Sequence, residues 1–266
     1  MTQSNAPAKP LGKFELSLDA MMQKGMGSIP KEINADRLKL NALMAISQDN
    51  NLSKHAQQQP AVIAQYVFNF VIQGLDMLNR EAYIVPYNGK LTPVIDYKGQ
   101  KKLAQQYSTK PIKIIKSGVV RENDTYKFDE LGNFKHVYDP FSTERGELIG
   151  AFCTIIFEDE EQQSIFANKE EIEKVKNASP SSKSNFSPWV NWTESMWEKT
   201  VIRKAMKYIN IDFGGNEELA RAYRESDKDI EFTRQPVNQP KEQNVDVFDA
   251  EFTDVEEEKE VEFVEL

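Results

Sequence analysis

Side chains suited to making or breaking bonds are scarce here: one cysteine and two histidines in 266 residues. Cys153 sits in the apolar run Gly-Ala-Phe-Cys-Thr-Ile-Ile-Phe with no evident base beside it. That is the setting of a buried strand residue, and no nucleophile elbow occurs elsewhere. His55 and His136 lie far apart, and neither belongs to a metal-ligand spacing. A phosphate cradle is missing too: Gly89-Lys90 lacks the earlier glycine, and Gly214-Gly215 runs into Asn-Glu-Glu. Two acid runs within residues 158–173, Asp159-Glu160-Glu161 and Glu170-Glu171-Ile172-Glu173, could in principle hold a metal for a nuclease. Their charged, helix- or turn-like context reads more simply as solvated surface.

A different chemistry is better supplied. Binding a nucleic-acid strand without sequence preference needs cations that track phosphates and flat rings that meet bases. Tyr83, Tyr87, Tyr97, Tyr107 and Tyr126 are interleaved with Lys90, Lys98, Lys101, Lys102, Lys110, Lys113, Lys116, Arg121 and Lys127. The net charge of -9 conceals this, because residues 227–266 carry 14 acidic and 4 basic side chains and leave residues 1–226 at +1. Within that body the charges are sorted: residues 89–127 stand at +6, residues 128–177 at -7 and residues 183–207 at +3. Local patches, more than total charge, set the field a polyanion meets.

The elements that must position these residues follow from hydrophobic period and turn chemistry. Residues 1–34 read as a flexible segment with one short helix around Phe-Glu-Leu-Ser-Leu-Asp-Ala-Met-Met-Gln and a possible role in subunit contact. Asn34 is a helix N-cap candidate ahead of the stripe Leu38, Leu40, Leu43, Met44 and Ile46. A polar stretch from Ser47 to Gln59 reads as a loop, and Pro60 opens a core helix. Tyr83 to Tyr97 alternates and turns at Asn88-Gly89, a hairpin signal. A short lysine-rich helix, three or four strand-like runs and a charged helix follow up to about residue 178. Pro188 begins a helix whose projection puts Lys199, Arg203, Lys204 and Lys207 on one side, together with Trp189, Trp192 and Met196. Val201, Ile202, Ala205, Met206 and Ile209 fill the other side. The expected fold class is α+β, an antiparallel strand meander with hairpins flanked by helices, not alternating β-α-β units. The expected division is a core over residues 35–226 and a disordered acidic tail over residues 227–266. One cysteine and a polar N-terminus point to the cytoplasm, and no apolar run approaches a membrane span.

Two blocks in this frame resemble the signature of the RecT family of phage single-strand annealing proteins. One is the hairpin text LNREAYIVPYNGKLTPVIDYKG, and the other is Trp192-Thr-Glu-Ser-Met-Trp-Glu-Lys-Thr-Val-Ile-Arg203 continuing into Lys-Ala-Met-Lys-Tyr-Ile. The resemblance spans roughly residues 35–225. It implies a recombination protein without ATPase activity that coats single-stranded DNA as a ring or filament of identical subunits and pairs it with a complementary strand. It also implies work beside a 5′→3′ exonuclease in a bacterial host cell, and an α+β core with DNA in a basic groove. On this reading Lys98, Lys101, Lys102, Lys199, Arg203, Lys204 and Lys207 are the first phosphate contacts expected. Lys110, Lys113, Lys116, Arg121 and Lys127 come next, and Tyr97 and Trp192 are candidates for base or sugar contact. Annealing releases free energy by itself, so no cofactor or metal is expected. The tail alternates acids with Val and Phe, which suits a solubilising segment, a docking segment for the exonuclease or the host single-strand binding protein, or a mimic of DNA. Three rivals stay open: a protective single-strand binder that does not anneal, a metal-dependent nuclease using residues 158–173, and a scaffold working through its tail.

Overall fold

The structure is a computed structural model that describes residues 12–87, 90–179, 182 and 187–226. The Asn88-Gly89 turn, most of the polar loop after residue 179 and the acidic tail lie outside the described residues.

Capping and apolar spacing build the first layer. The Asn34 side chain accepts from the Arg37 N–H at 3.0 Å, starting α2 (Ala35–Gln48), which buries Leu38, Ala42 and Ile46. Asp49 does the same for Leu52 N at 2.8 Å and starts α3 (Asn50–Gln58). The sequence reading takes this stretch for a loop; Leu52 and Ala56, four residues apart, are its buried face. Pro60 occupies the first turn of α4 (Pro60–Ile72), which is apolar enough to be buried on most sides, with Ile63, Val67, Phe70 and Ile72 at 1% exposure or less. Against α4 lies α1 (Gly12–Gly25), whose Phe14 and Leu18 are as buried as any core residue. The short helix expected around Phe14 to Gln23 therefore forms, and it packs into the helical core. The antiparallel pair β1 (Ala82–Tyr87) and β2 (Lys90–Ile95) runs in register from Ala82 opposite Ile95 to Tyr87 opposite Lys90. Leu219 and Ala222 of α9 (Glu217–Ser226) close this core.

A second core forms on one face of an antiparallel sheet. Its strands β3 (Ile112–Arg121), β6 (Leu148–Phe157) and β7 (Gln162–Asn168) lie in the order β3-β6-β7. Because side chains alternate across a strand, Ile115, Val119, Ala151, Cys153, Ile155, Ile165 and Ala167 share the inner face. There they meet Trp197, Val201 and Ala205 of α8 (Thr193–Met206) and Ile172 of α6 (Lys169–Ala178). Cys153 is the expected buried strand residue, and burial pushes its thiol up to about 12, so it stays protonated. Between the cores runs α5 (Tyr97–Tyr107), with Leu103 in the first and Ala104 in the second. Its Gly99 packs so close to the Glu81 carbonyl that an added Cβ would overlap it.

The outer sheet face carries a separate hairpin, β4 (Thr125–Phe128) with β5 (Phe134–Val137). Phe134 lies 4.9 Å from both Phe152 and Phe166, ring centre to ring centre. Gly118 opposite Phe152 leaves room for that ring. A buried polar lock holds the hairpin base. Asp124 accepts from Arg145 Nε at 2.8 Å and Nη2 at 2.7 Å, and from the Arg121 N–H at 2.9 Å. His136 Nε2 lies 2.9 Å from Oδ2 and is the donor whenever that carboxylate is ionised. The Arg145 guanidinium in turn lies 3.8 Å from the centre of the Tyr138 ring.

Hydrogen bonds from Arg145 hold the Asp124 carboxyl well below the usual carboxylate range. A depressed folded-state value contributes stability that is fully present above the unfolded value near 4 and is lost as pH falls below it. Asp124→Asn should therefore cost about 3 kcal/mol at pH 7 and clearly less at pH 3, measured by urea unfolding at both values. An equal penalty at both would contradict the lock.

Candidate nucleic-acid interface

Asp96 ends β2 and caps α5, accepting from the Lys98 N–H at 3.2 Å with a side chain only 2% exposed. The ammonium of Lys199 lies 3.2 Å from its other oxygen and 5.8 Å from the centre of the Tyr97 ring. One turn further along α8, the Arg203 guanidinium donates to the Ile95 carbonyl at 3.2 Å. Lys199 and Arg203 are both 5% exposed. Both were expected to line a groove, and both instead face inward, joining α8 to the β2–α5 corner. Tyr97 is half-buried beside them.

The projection fails for a physical reason. It takes residues 188–209 as one helix with a wet side, but the chain breaks at Trp192 (φ −135°, ψ 44°) between α7 (Pro188–Asn191) and α8. Beyond the break α8 is covered twice, by the sheet on one side and by α5 on the other. Met196 is therefore buried on what the wheel presents as the basic side, and Trp189, before the break in α7, is buried as well.

Several other candidates have acidic partners. Lys102 Nζ reaches Glu81 and the Gly74 carbonyl, each at 2.6 Å. Lys110 meets Glu161, and Asp159 at 2.9 Å, while Lys113 meets Glu160. These contacts raise the affinity of both ammonium groups for their protons, Glu161 acting most on Lys110 and Glu160 on Lys113. Arg121 donates to the Gly146 carbonyl at 2.7 Å and pairs with Glu194. Lys204 holds the Phe166 carbonyl at 2.8 Å and Glu171 at 3.0 Å. The basic and acidic segments of the sequence are thus largely counterions to one another. The acids weighed for a nuclease take part in this: Glu170 pairs with Lys174 and Glu173 with Lys176. Among the described residues no group of three or more metal-capable His, Cys, Asp or Glu side chains converges.

Lys98, Lys116 and Lys127 are exposed and Lys101 is half-exposed, and none has an acidic partner among the described residues. Lys207 sits half-buried at the C-cap of α8. Trp192 is 64% exposed and, with Arg121, Asn191 and Leu148, lines an open cleft of about 500 Å³. The cleft thus brings together two candidates 71 positions apart in sequence, an indole face and a guanidinium. Lys135 was missed. It stands directly opposite Lys127 in the β4–β5 register, and the mirrored runs Tyr-Lys-Phe and Phe-Lys-His were the available signal.

Removing one member of a buried ion pair strands the other charge. Lys199→Met should cost about 3–5 kcal/mol in urea unfolding while leaving the salt dependence of oligonucleotide binding by the folded fraction unchanged. Unchanged stability with a shallower salt slope would return Lys199 to the surface.

The geometry can be set beside known proteins. The model of the RecT family matches residues 36–240. Protein RecT of Escherichia coli (strain K12) is 26% identical over 156 residues, covering 56% of this chain and 55% of that protein. The chain thus spans about half the length of this curated relative. Both blocks quoted above fall within the matched span, one containing the buried Asp96 and the other carrying Lys199 and Arg203. The chain belongs to the RecT family.

Proposed function

We propose that this protein anneals complementary single strands of DNA without ATP, working as a homo-oligomer in phage-type recombination in the bacterial cytoplasm. Membership of the RecT family carries the reading. Lys98, Lys101, Lys116 and Lys127 contact phosphates, because they are outward cations without an acidic partner among the described residues, and Lys135 joins them as an exposed cation opposite Lys127. Trp192 and Arg121 offer the cleft in which a base or sugar rests on an indole face. Lys102, Lys110, Lys113 and Lys204 bind DNA only by exchanging a carboxylate for a phosphate. Lys199 and Arg203 act at one remove, by holding α5 and its outward Lys98 and Lys101 in place.

The mechanism needs no bond chemistry. Neutralising phosphates lowers the repulsion between two strands, and an extended, backbone-bound first strand keeps its base edges free for pairing. Assembly along DNA requires a heterologous interface, in which each copy presents a different surface to each neighbour. The exonuclease that generates the single strand and the host single-strand binding protein are the partners that this function calls for.

The test uses two complementary oligonucleotides carrying a fluorescence-transfer pair. Protein is added to one strand without nucleotide, the second strand follows, and the rate is compared with the protein-free rate across salt concentrations. Accelerated, salt-sensitive pairing with a product that stays protein-bound is expected. Binding without acceleration would make the protein a protective binder, and absence of binding at low salt would remove DNA from the account.

A further inference from the structure

The annealing reading uses Lys127 and Lys135 of the β4–β5 hairpin but leaves its open strand edge and the exposed aromatic rings of β4 unexplained. Its two faces differ in kind. One carries Tyr126 and Phe128 on β4 beside Phe134 and His136 on β5, and the other carries Thr125 and Lys127 beside Lys135 and Val137. On β5 the aromatic face is covered, with Phe134 at 8% exposure under Phe152 and Phe166. On β4 it is open, with Tyr126 at 49% and Phe128 at 55%. Like charges directly opposite each other, as Lys127 and Lys135 are, destabilise an antiparallel pair. Among the described residues β4 has a strand neighbour on one side only, so its other backbone edge is open.

An added peptide strand with apolar residues on one side and acids on the other would complete all three features. The chain's own tail contains that pattern. In Phe248-Asp249-Ala250-Glu251-Phe252-Thr253, an extended backbone puts Phe248, Ala250 and Phe252 on one side and Asp249, Glu251 and Thr253 on the other. We propose that residues 248–253 dock as an extra strand along β4, with Phe248, Ala250 and Phe252 on the face that carries Tyr126 and Phe128, and Asp249 and Glu251 on the face that carries Lys127 and Lys135.

Reach permits it. The 21 residues from 227 to 247 can extend about 70 Å at about 3.3 Å each, well beyond a body of about 17 Å radius of gyration. Chemistry selects this occupant over two others. A DNA strand lacks the regular backbone donors and acceptors that an open strand edge pairs with. A second copy adding its own β4 would bring four lysines together on one face. Docked in this way, the tail covers Lys127 and Lys135, so a polyanion or a partner protein must displace it to reach them.

The test uses the full chain without DNA, so its failure leaves the annealing reading untouched. A zero-length carbodiimide cross-linker is applied to a mixture of isotopically labelled and unlabelled chains, and the products are read by mass spectrometry. Hydrogen exchange of residues 125–128 is compared between the natural chain and Phe248→Ser/Phe252→Ser. Cross-links from Asp249 or Glu251 to Lys127 or Lys135 within one chain are expected, with exchange at least about tenfold faster in the variant. The variant alters only the tail and leaves the core sequence intact. Links spread evenly over other lysines such as Lys98 and Lys116, unchanged exchange, or predominantly mixed-isotope links, which would assign the site to a second copy, would each overturn the proposal.

Discussion

The arrangement depends on one buried charge. Asp96 stands where β2 turns into α5, capping the helix with one oxygen and meeting Lys199 with the other. Taking two charges out of water is costly, and their attraction offsets that cost only with good geometry and further hydrogen bonds. The corner supplies such support through the capped Lys98 N–H and the Arg203 bond to the Ile95 carbonyl. A hydrophobic contact would tolerate α8 sliding against α5, whereas an ion pair with a capped carboxylate fixes one register. This constraint sets the helical core against the sheet core, and with it the positions of Lys98 and Lys101.

The remaining cations sort by partner. Exposed pairs such as Lys113 with Glu160 contribute little to stability, since both groups stay hydrated and screened. Their consequence is electrostatic. They quench part of the body's positive field and leave a smaller set of outward lysines to supply it. The same sorting explains how a chain of net charge -9 can present cationic surface.

Local chemistry was legible in the sequence; cross-chain packing was not. The Asn34 cap, Pro60 at the start of α4 and the two arms of the first hairpin follow from residue type and period, as do the strand-like runs after α5, expected as three or four and found as five strands. The α+β class with antiparallel sheets follows from their order. Helix α3 was hidden because only two residues, Leu52 and Ala56, mark its buried face. Helix α1 was legible as a short helix, but the polar residues around Phe14 and Leu18 concealed that it packs into the core. The site was partly legible: residue types identified the cations, but burial of Lys199 and Arg203 depends on Asp96, about a hundred residues away. A helical wheel takes charged residues to be outside, and a buried acid elsewhere in the chain is what defeats it.

The central claim is that the chain's cations divide into internal braces and outward phosphate contacts. The most direct measurement is the salt dependence of single-strand affinity for a variant with Lys98, Lys101, Lys116 and Lys127 all changed to Gln. The account predicts a plot of log affinity against log salt shallower by about 3, at about 0.7 per lost contact, with unfolding free energy near that of the natural chain. An unchanged slope, or lost stability in its place, would contradict it.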